Sequence, residues 1–196
     1  MTDIPDRIRA ATPEDAQALV ELINQAGEGL PFYLWERMAE PGEDAWDVGR
    51  RRARREHGGF SYRNATVAEA GGSIAGCLIG YELPANSEPI DYEHTPAMFV
   101  PLLELEHMVA GTWYVNVLGT YPQFRGRGVG GRLLDVAETR GRDAGLSGLS
   151  VIVSDANTGA LRLYERKGYR RKAERPMIKE DWQNPGENWV LLAQDL

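Results

Sequence analysis

Cysteine is almost absent from this sequence, which has only Cys77 in 196 residues. One thiol cannot form an intrachain disulfide or a zinc site built on cysteine ligands. Because Cys77 lies in an apolar run, it is expected to be a buried structural thiol rather than a nucleophile. No metal cofactor is predicted.

Basic residues are also few, since 22 Lys and Arg stand against 29 Asp and Glu and the net charge is −7. Binding to nucleic acid needs clustered positive charge, so no nucleic-acid partner is expected. The one basic run, residues 50–55, is interpreted as a solvated helix face, with contact to a phosphate or an acidic partner as the alternative. An acidic surface better suits a cationic or amine-bearing partner.

Long apolar runs are missing as well. No segment approaches the length needed to span a bilayer, so no membrane partner is expected. Residues 1–6 lack the basic and apolar regions of a signal peptide. We therefore expect a soluble, cytoplasmic protein. With 42% hydrophobic residues, the chain 1–196 has enough apolar material for a single domain with its own core.

Apolar periodicity and turn residues predict a mixed α/β architecture. Thr12-Pro13-Glu14-Asp15 has the features of a helix start, namely a capping hydroxyl, an early proline and acids in the first turn. Gly71-Gly72 predicts a tight hairpin turn. The predicted strands cover residues 7–11, 65–70, 73–83, 112–120, 149–153 and 189–193, and the predicted helices cover 12–23, 30–57, 97–108, 129–145 and 157–167.

The most informative segment is Gln123-Phe124-Arg125-Gly126-Arg127-Gly128-Val129-Gly130. It follows a predicted strand and leads directly into an amphipathic helix. Glycines leave the backbone bare where a helix N-terminus exposes unpaired N–H groups and the positive end of its dipole. Together with two arginines, this pattern predicts a phosphate or pyrophosphate site formed by main-chain groups. A tight turn with a close helix–strand contact is the structural alternative.

Two common nucleotide motifs do not match this segment. A P-loop needs Gly, four residues and then Gly-Lys-Ser/Thr, and the chain has no such run. A Rossmann fingerprint needs an early βαβ unit and a later acidic residue, whereas this segment lies two-thirds along the chain after a hairpin.

Two motifs instead resemble the GNAT superfamily of acyl-CoA N-acyltransferases. Residues 125–130 match its signature Arg/Gln-x-x-Gly-x-Gly/Ala. Residues 157–169 match Asn-x-x-Ala-x-x-Leu-Tyr-x-x-x-Gly-Phe/Tyr at every fixed position and at the family's spacing. The resemblance covers residues 112 to about 170. It implies a mixed, mostly antiparallel central sheet of six or seven strands, flanked by helices and splayed between the fourth and fifth strands.

The resemblance also implies acetyl-CoA as cosubstrate and assigns residues to it. The backbone amides of the turn would bind the pyrophosphate, and the residues concerned are Arg125, Gly126, Arg127, Gly128, Val129 and Gly130. Main-chain groups of Leu118, Gly119 and Thr120 would contact the acetyl carbonyl and the pantetheine arm. The Leu118 N–H would also stabilise the oxyanion. Asn157 would hydrogen-bond the arm, and Tyr164 would lie close to the sulfur.

The chemistry of Tyr164 can also be argued from acidities. Aminolysis of a thioester expels a thiolate, and an alkyl thiol has a pKa of about 8.5 against about 10 for a phenol. A positioned phenol can therefore protonate the leaving sulfur. The structural alternative is a packed helix tyrosine whose hydroxyl needs a partner.

The sequence does not identify the general base that would remove a proton from the acceptor amine. Many relatives carry a glutamate on the fourth strand where this chain has Tyr114, with Asn116 two residues on. Tyr114 and Asn116 are expected to face the acceptor. Other carboxylates and one imidazole lie near in sequence, each expected to be a solvated surface group, and these are Glu82, Glu104, Glu106 and His107.

The predicted activity is transfer of an acetyl group from acetyl-CoA to a primary amine of a small molecule or peptide, by direct attack. No covalent intermediate is expected, because Cys77 lies far from both motifs in sequence. The alternative is a non-catalytic acyl-CoA-binding or sensing domain that lacks the base. The sequence leaves the oligomeric state open, a homodimer included.

Overall fold

The computed structural model describes residues 5–196, so residues 1–4 of the segment tested for a signal peptide lie outside the described part. Within it, the strands are β1 Arg7–Ala10, β2 Ala65–Ala70, β3 Ser73–Glu82, β4 Trp113–Thr120, β5 Gly148–Ser154, β6 Arg170–Pro176 and β7 Asn188–Asp195. The helices are α1 Ala16–Ala26, α2 Leu30–Met38, α3 Ala45–Ala53, α4 Val100–His107, α5 Val129–Asp143 and α6 Thr158–Arg166.

The strands form one seven-stranded sheet in the order β1-β2-β3-β4-β5-β7-β6. Antiparallel pairs join β1 to β2, β2 to β3, β5 to β7 and β6 to β7. β4 and β5 pair in parallel, over Trp113–Val115 and Leu149–Val151 only. The predicted mixed, mostly antiparallel α/β sheet flanked by helices is confirmed.

The chain divides into two compact units. The first comprises residues up to 80 together with Asn116–Asp135. Its core is apolar and lies between α1, α2, α3 and the first strands, with Leu19, Ile23, Trp35 and Val48 among the buried side chains. The predicted hairpin is present, and Gly71 and Gly72 both adopt positive φ, as its tight turn requires.

The helix start at Thr12 is confirmed in detail. A 3₁₀ turn over Pro13–Asp15 leads into α1. Asp15 accepts a hydrogen bond from the Thr12 backbone N–H (2.8 Å), and its carboxylate also receives two from Arg9 (2.7 and 2.9 Å). The capping box therefore ties the end of β1 to α1.

The predicted second helix over residues 30–57 is wrong in one respect, because the segment forms two helices, α2 and α3. Pro41 cannot donate a helical hydrogen bond, and Gly42 has a φ of +86°. Asp44 then caps α3 by accepting from the Trp46 N–H (2.7 Å). Aromatic residues pack between the two helices: Trp35 lies so close to Gly49 that a Cβ there would be 2.9 Å from its ring.

The second unit comprises Tyr81–Val115 and Val136–Leu196. It holds α4, α6 and the strands β5, β6 and β7. β6 was not predicted, because Arg170-Arg171-Lys172-Ala173-Glu174-Arg175-Pro176 has no apolar alternation. It is the last strand of the sheet, and most of its side chains are exposed. It therefore lacks the alternating apolar residues by which a half-buried strand is recognised in a sequence.

Candidate active site

The glycine-rich turn of the first unit is exposed from Arg125 to Gly128, and α5 follows at Val129. Gly126 and Gly128 have φ values of +74° and +79°, and a Cβ at Gly126 would meet nothing within 4 Å. The left-handed backbone favours glycine at both positions.

The start of α5 leaves its first N–H groups outside the helical ladder. The earliest hydrogen bond of this helix in the described residues is donated by the Arg132 N–H to the Gly128 carbonyl (3.0 Å). The N–H groups of Gly128, Val129 and Gly130 therefore precede the ladder and carry the positive end of the helix dipole. This arrangement fits a phosphate or diphosphate group.

The two arginines of the turn are exposed and have different contacts. Arg125 donates through Nε to the Thr120 carbonyl (3.2 Å), which fixes the end of β4 to the turn. The Arg127 guanidinium lies over the Phe124 ring, 5.9 Å from its centroid. Arg125 therefore stabilises the turn, and both arginines add positive charge beside the helix N-terminus.

The backbone of β4 has two different edges over Asn116–Thr120. The Tyr121 N–H donates to the Ala75 carbonyl (2.9 Å), and the Gly119 N–H is directed at the sulfur of Cys77. Because successive N–H groups of a strand alternate in direction, those of Leu118 and Thr120 point to the other edge. The pairs of that edge with β5 end at Val115.

Cys77 is fully buried, and burial raises the pKa of its thiol to about 12. The predicted buried structural thiol is confirmed. Cys77 lies against the backbone of Gly119 on β4. What keeps it from acting as a nucleophile is that it stays protonated at neutral pH.

The second motif forms α6 in the second unit. The Asn157 Oδ1 accepts from the Ala160 N–H (3.1 Å) and so caps the helix. Tyr164 is buried, and burial raises the pKa of its phenol above 10. Its ring contacts Tyr169 at 5.5 Å, and the Tyr169 hydroxyl is buried without a hydrogen-bond partner in the described residues.

Glu106, on α4 of the same unit, differs from the other carboxylates near it in sequence. Burial raises the pKa of Glu106 to about 7. Glu104 instead accepts from Arg175 (2.7 Å), and Glu82 is exposed. The expectation of a solvated surface group therefore holds for Glu82, whereas Glu106 is half-buried.

Two tyrosines lie near Glu106. Tyr81 and Tyr114 meet edge to face, with ring centroids 5.7 Å apart and planes at 66°. Burial is the larger cause that raises the pKa of each phenol, and the charge of Glu106 is the next largest. Electrostatic interaction with Tyr164 raises the pKa of Tyr114 further.

A family model described as "Acetyltransferase (GNAT) family" matches residues 30–169 of this chain. The match covers both motifs and well over half of the sequence. The chain belongs to the GNAT acetyltransferase family. This places it among the acyltransferases, and the family takes its acetyl group from acetyl-CoA.

Solved structures with the same fold include other GNAT proteins. The polyamine N-acetyltransferase of Drosophila melanogaster superimposes with a TM-score of 0.67 at 20% identity, covering 97% of this chain and 99% of that one. An N-acetyltransferase from Staphylococcus aureus Mu50 gives a TM-score of 0.65 at 19% identity, covering 95% of this chain and 99% of that one. At such identities the likeness concerns the fold.

A mycothiol acetyltransferase of Propionibacterium freudenreichii subsp. shermanii is 40% identical over 55 residues. The matched segment is 28% of this chain and 18% of that protein. The chain therefore corresponds to less than a fifth of the length of this curated relative.

The GNAT fold distributes the predicted site residues between the two units. Asn116, the β4 edge and the turn over residues 125–130 belong to the first unit, whereas Tyr114, Asn157 and Tyr164 belong to the second. Asn116 and Leu118 are half-buried and Tyr114 is buried. The roles assigned to these residues toward acetyl-CoA and the acceptor stay predictions.

Sequence reasoning gave too little weight to Glu106 among the carboxylates. The buried residues of α4 are Pro101 and Leu105, whereas Leu102 and Leu103, at helical spacing from Glu106, are half-buried as Glu106 is. Among residues 5–196, no group of three or more metal-ligating side chains is placed to hold an ion.

Proposed function

We propose that this chain is an N-acetyltransferase, which moves an acetyl group from acetyl-CoA to a primary amine by direct attack. The observation that carries the proposal is the exposed turn with two left-handed glycines and free N–H groups at the start of α5. Membership of the GNAT family gives that anion site its ligand, the diphosphate of coenzyme A.

The donor would be held mainly by main-chain groups. The N–H groups of Gly128, Val129 and Gly130 would bind the pyrophosphate, and the charges of Arg125 and Arg127 would assist. The Leu118 N–H, on the β4 edge past the last pair with β5, would bind the thioester oxygen. Acetyl-CoA supplies an activated acyl group with a thiolate as leaving group.

Two side chains on α6 complete the assignment. Asn157 uses Oδ1 to cap the helix, which leaves its two amide N–H donors for the pantetheine arm. Tyr164 would donate its hydroxyl hydrogen to the departing sulfur. Because burial raises the pKa of Tyr164, the phenol remains protonated, and so a donor, throughout the range in which amines react.

Direct attack is supported by the state of the cysteine. A covalent acyl-enzyme would need a reactive nucleophile, and Cys77, the single cysteine, is buried with a raised pKa. An amine that attacks the thioester directly needs only positioning and removal of a proton.

Substitution of Gly128 by glutamate tests the assigned diphosphate site. Gly128→Glu places a like charge beside the turn and a side chain on a left-handed backbone, so the Kd for acetyl-CoA is expected to rise at least ~100-fold. The Kd is measured by isothermal titration calorimetry. Gly145→Glu is the matched control, since Gly145 also has positive φ (+68°) and nothing within 4 Å of a Cβ.

The Gly145→Glu variant is expected to bind acetyl-CoA like the parent protein, with a Tm lowered as much as that of Gly128→Glu. Unaltered acetyl-CoA binding by folded Gly128→Glu would refute the assigned site.

One observation favours a second function, a non-catalytic acyl-CoA-binding or sensing domain. Tyr114 stands where many relatives carry a glutamate, so the strand itself supplies no base. Such a protein would bind acetyl-CoA but release no free thiol with any primary amine. An acceptor screen that reads mass shift and thiol release, run with acetyl-CoA and longer acyl-CoAs, separates the two functions.

A further inference from the structure

One segment of the second unit carries a concentration of positive charge that the proposed function does not use. Residues 162–175 contain seven basic and two acidic side chains, a net charge of +5, whereas the net charge of the whole chain is −7. The segment covers the second half of α6 and nearly all of β6. An acidic protein with its positive charge gathered in one segment has a surface that attracts negatively charged partners.

Most of these basic side chains lack a counterion of their own. Two of them are in ion pairs, Arg171 with Glu165 (3.6 Å) and Arg175 with Glu104 (2.7 Å). Four others are exposed and have neither an ion pair nor a side-chain hydrogen bond in the described residues, and they are Arg162, Arg166, Arg170 and Lys172. Because the contact of Arg171 with Glu165 joins α6 to β6, the unpaired charges of the two elements lie on neighbouring parts of the surface.

β6 also has an open edge. It pairs with β7 on one side and ends the strand order, so no strand pairs with its other side over residues 5–196. The register with β7 shifts between Arg171 and Ala173, which leaves Lys172 as an extra residue without a partner on β7. An open strand edge presents N–H and C=O groups to any peptide chain that can run alongside it.

The direction of the main-chain groups along β6 follows from the bond just beyond its end. The Met177 N–H donates to the Glu187 carbonyl (2.8 Å), so the main chain of Met177 faces the β7 side. Directions alternate along a strand, which turns the main chain of Arg175 toward β7 and the main chains of Pro176 and Glu174 toward the open edge. Proline has no N–H to offer there. The Glu174 N–H is therefore a donor on the open edge, while the Glu174 carbonyl accepts from Nη1 of Arg175 (2.9 Å).

We propose that this edge binds an extended acidic segment of another protein, which pairs with β6 as an eighth strand of the sheet. The basic edge is defined as residues 170–174 of β6 with Arg162 and Arg166 of α6. Main-chain hydrogen bonds give affinity in this mode of recognition, and the basic side chains select a chain that carries glutamate or aspartate. The proposal does not rest on acetyl transfer.

Charge and backbone chemistry together favour this occupant over two others. A second copy of the chain would bring the same positive charges edge to edge, and like charges opposite each other destabilise strand pairing. A nucleic acid would offer phosphates to the arginines, but it has no peptide groups to pair with the open edge. An acidic peptide satisfies both the charges and the main chain.

Fluorescence anisotropy with a labelled synthetic peptide tests the role of charge. The probe is Thr-Glu-Val-Glu-Thr-Glu-Val-Glu with blocked ends, whose β-branched residues favour a strand, and its counterpart has lysine for every glutamate. The parent protein should bind the acidic probe and not the basic one. Arg170→Glu combined with Lys172→Glu should raise the Kd at least ~10-fold.

The matched control is Arg54→Glu combined with Arg55→Glu, which makes the same change in net charge at exposed positions of the first unit. This variant should keep the Kd within ~2-fold of the parent value. Equal weakening by both double variants, or no binding of the acidic probe to the parent protein, overturns the proposal.

Two substitutions of Glu174 separate strand pairing from attraction between charges. Glu174→Pro and Glu174→Ala remove the same negative charge, but only proline removes the N–H on the open edge, and neither disturbs the pairing with β7. Glu174→Ala should bind the acidic probe at least as tightly as the parent protein, and Glu174→Pro at least ~10-fold more weakly than Glu174→Ala. Equal binding by the two variants would mean that charge alone holds the probe, which overturns the proposal.

Light scattering at the protein concentration of the titration tests whether a second copy occupies the edge. The parent protein and Glu174→Pro should have the same mass in solution. A dimeric parent protein that Glu174→Pro converts to a monomer would assign the edge to a second copy and overturn the proposal.

Discussion

Burial sets the proton state of the chemically interesting side chains at the scale of single residues. The same cause, loss of hydration, raises the pKa of Cys77 to about 12 and that of Glu106 to about 7. The first shift makes the thiol inert at neutral pH, whereas the second brings a carboxyl group into the range where it can exchange a proton. Tyr164 is shifted upward and remains an O–H donor.

Replacement of Tyr164 by phenylalanine tests its role as donor to the sulfur. Tyr164→Phe should lower kcat ~10- to 100-fold while the Kd for acetyl-CoA stays within ~2-fold, because the hydroxyl matters only as the carbon–sulfur bond breaks. Thiol release is read with a chromogenic disulfide, and the buried Cys77 adds no background in the folded protein.

Tyr169→Phe is the matched control for that substitution. Tyr169 is equally buried, its ring contacts Tyr164, and its hydroxyl has no hydrogen-bond partner in the described residues. Loss of that hydroxyl should leave kcat unchanged and raise the Tm slightly. If Tyr164→Phe turns over as fast as the parent protein, Tyr164 has no part in the chemistry.

Elements are held in place by a few polar contacts at their ends, and the box at Thr12 and Asp15 is the clearest case. Asp15→Asn should reduce the free energy of unfolding by ~1–3 kcal/mol, because Arg9 loses one of its two charged partners and keeps only Glu69. The measurement is urea unfolding at pH 7. Glu14→Gln, at the exposed neighbouring position, should reduce the free energy of unfolding much less than Asp15→Asn, because Glu14 has no ion pair with Arg9.

The pH dependence of that loss follows from the pKa of Asp15. The hydrogen bonds from Arg9 hold the pKa of Asp15 below its usual value. The stabilisation is therefore complete above the unfolded pKa of about 3.9 and is lost as pH falls through the lower folded value. The difference in free energy of unfolding between the parent protein and Asp15→Asn should shrink toward pH 2. A difference that stays constant with pH would contradict this account.

Elements were predictable where local patterns suffice. The hairpin at Gly71-Gly72 and the cap at Thr12 depend on residues that are adjacent in sequence, and both were confirmed. The break between α2 and α3 was missed, although Pro41 and Gly42 lie there. β6 was missed because its pairing with β7 is non-local and its surface is charged.

Charge on the outer strand has a consequence for the whole molecule. β6 ends the strand order, so one of its edges has no neighbour in the sheet over the described residues. Replacement of Arg170, Arg171 and Lys172 by threonine should keep the strand but promote concentration-dependent association through that edge. Light scattering coupled to size-exclusion chromatography measures it.

The control variant loses three positive charges from a helix instead of from β6. It carries Arg132→Gln, Arg140→Gln and Arg142→Gln on α5, and it should not associate more than the parent protein. Equal association of both variants would mean that net charge, rather than the charged side chains at the strand edge, keeps copies of the protein from associating.

The family and the conformation of the glycine-rich turn were determined by the sequence, because each depends on short motifs of residues that are adjacent or nearly so. Glycines at 126 and 128 specify a left-handed turn wherever they stand, and the helix that follows supplies its N–H groups. The proton states of Glu106 and Cys77 were decided only by the tertiary structure. An apolar run such as the one around Cys77 indicates burial, but the extent of burial, which sets the pKa, depends on which distant segments pack together.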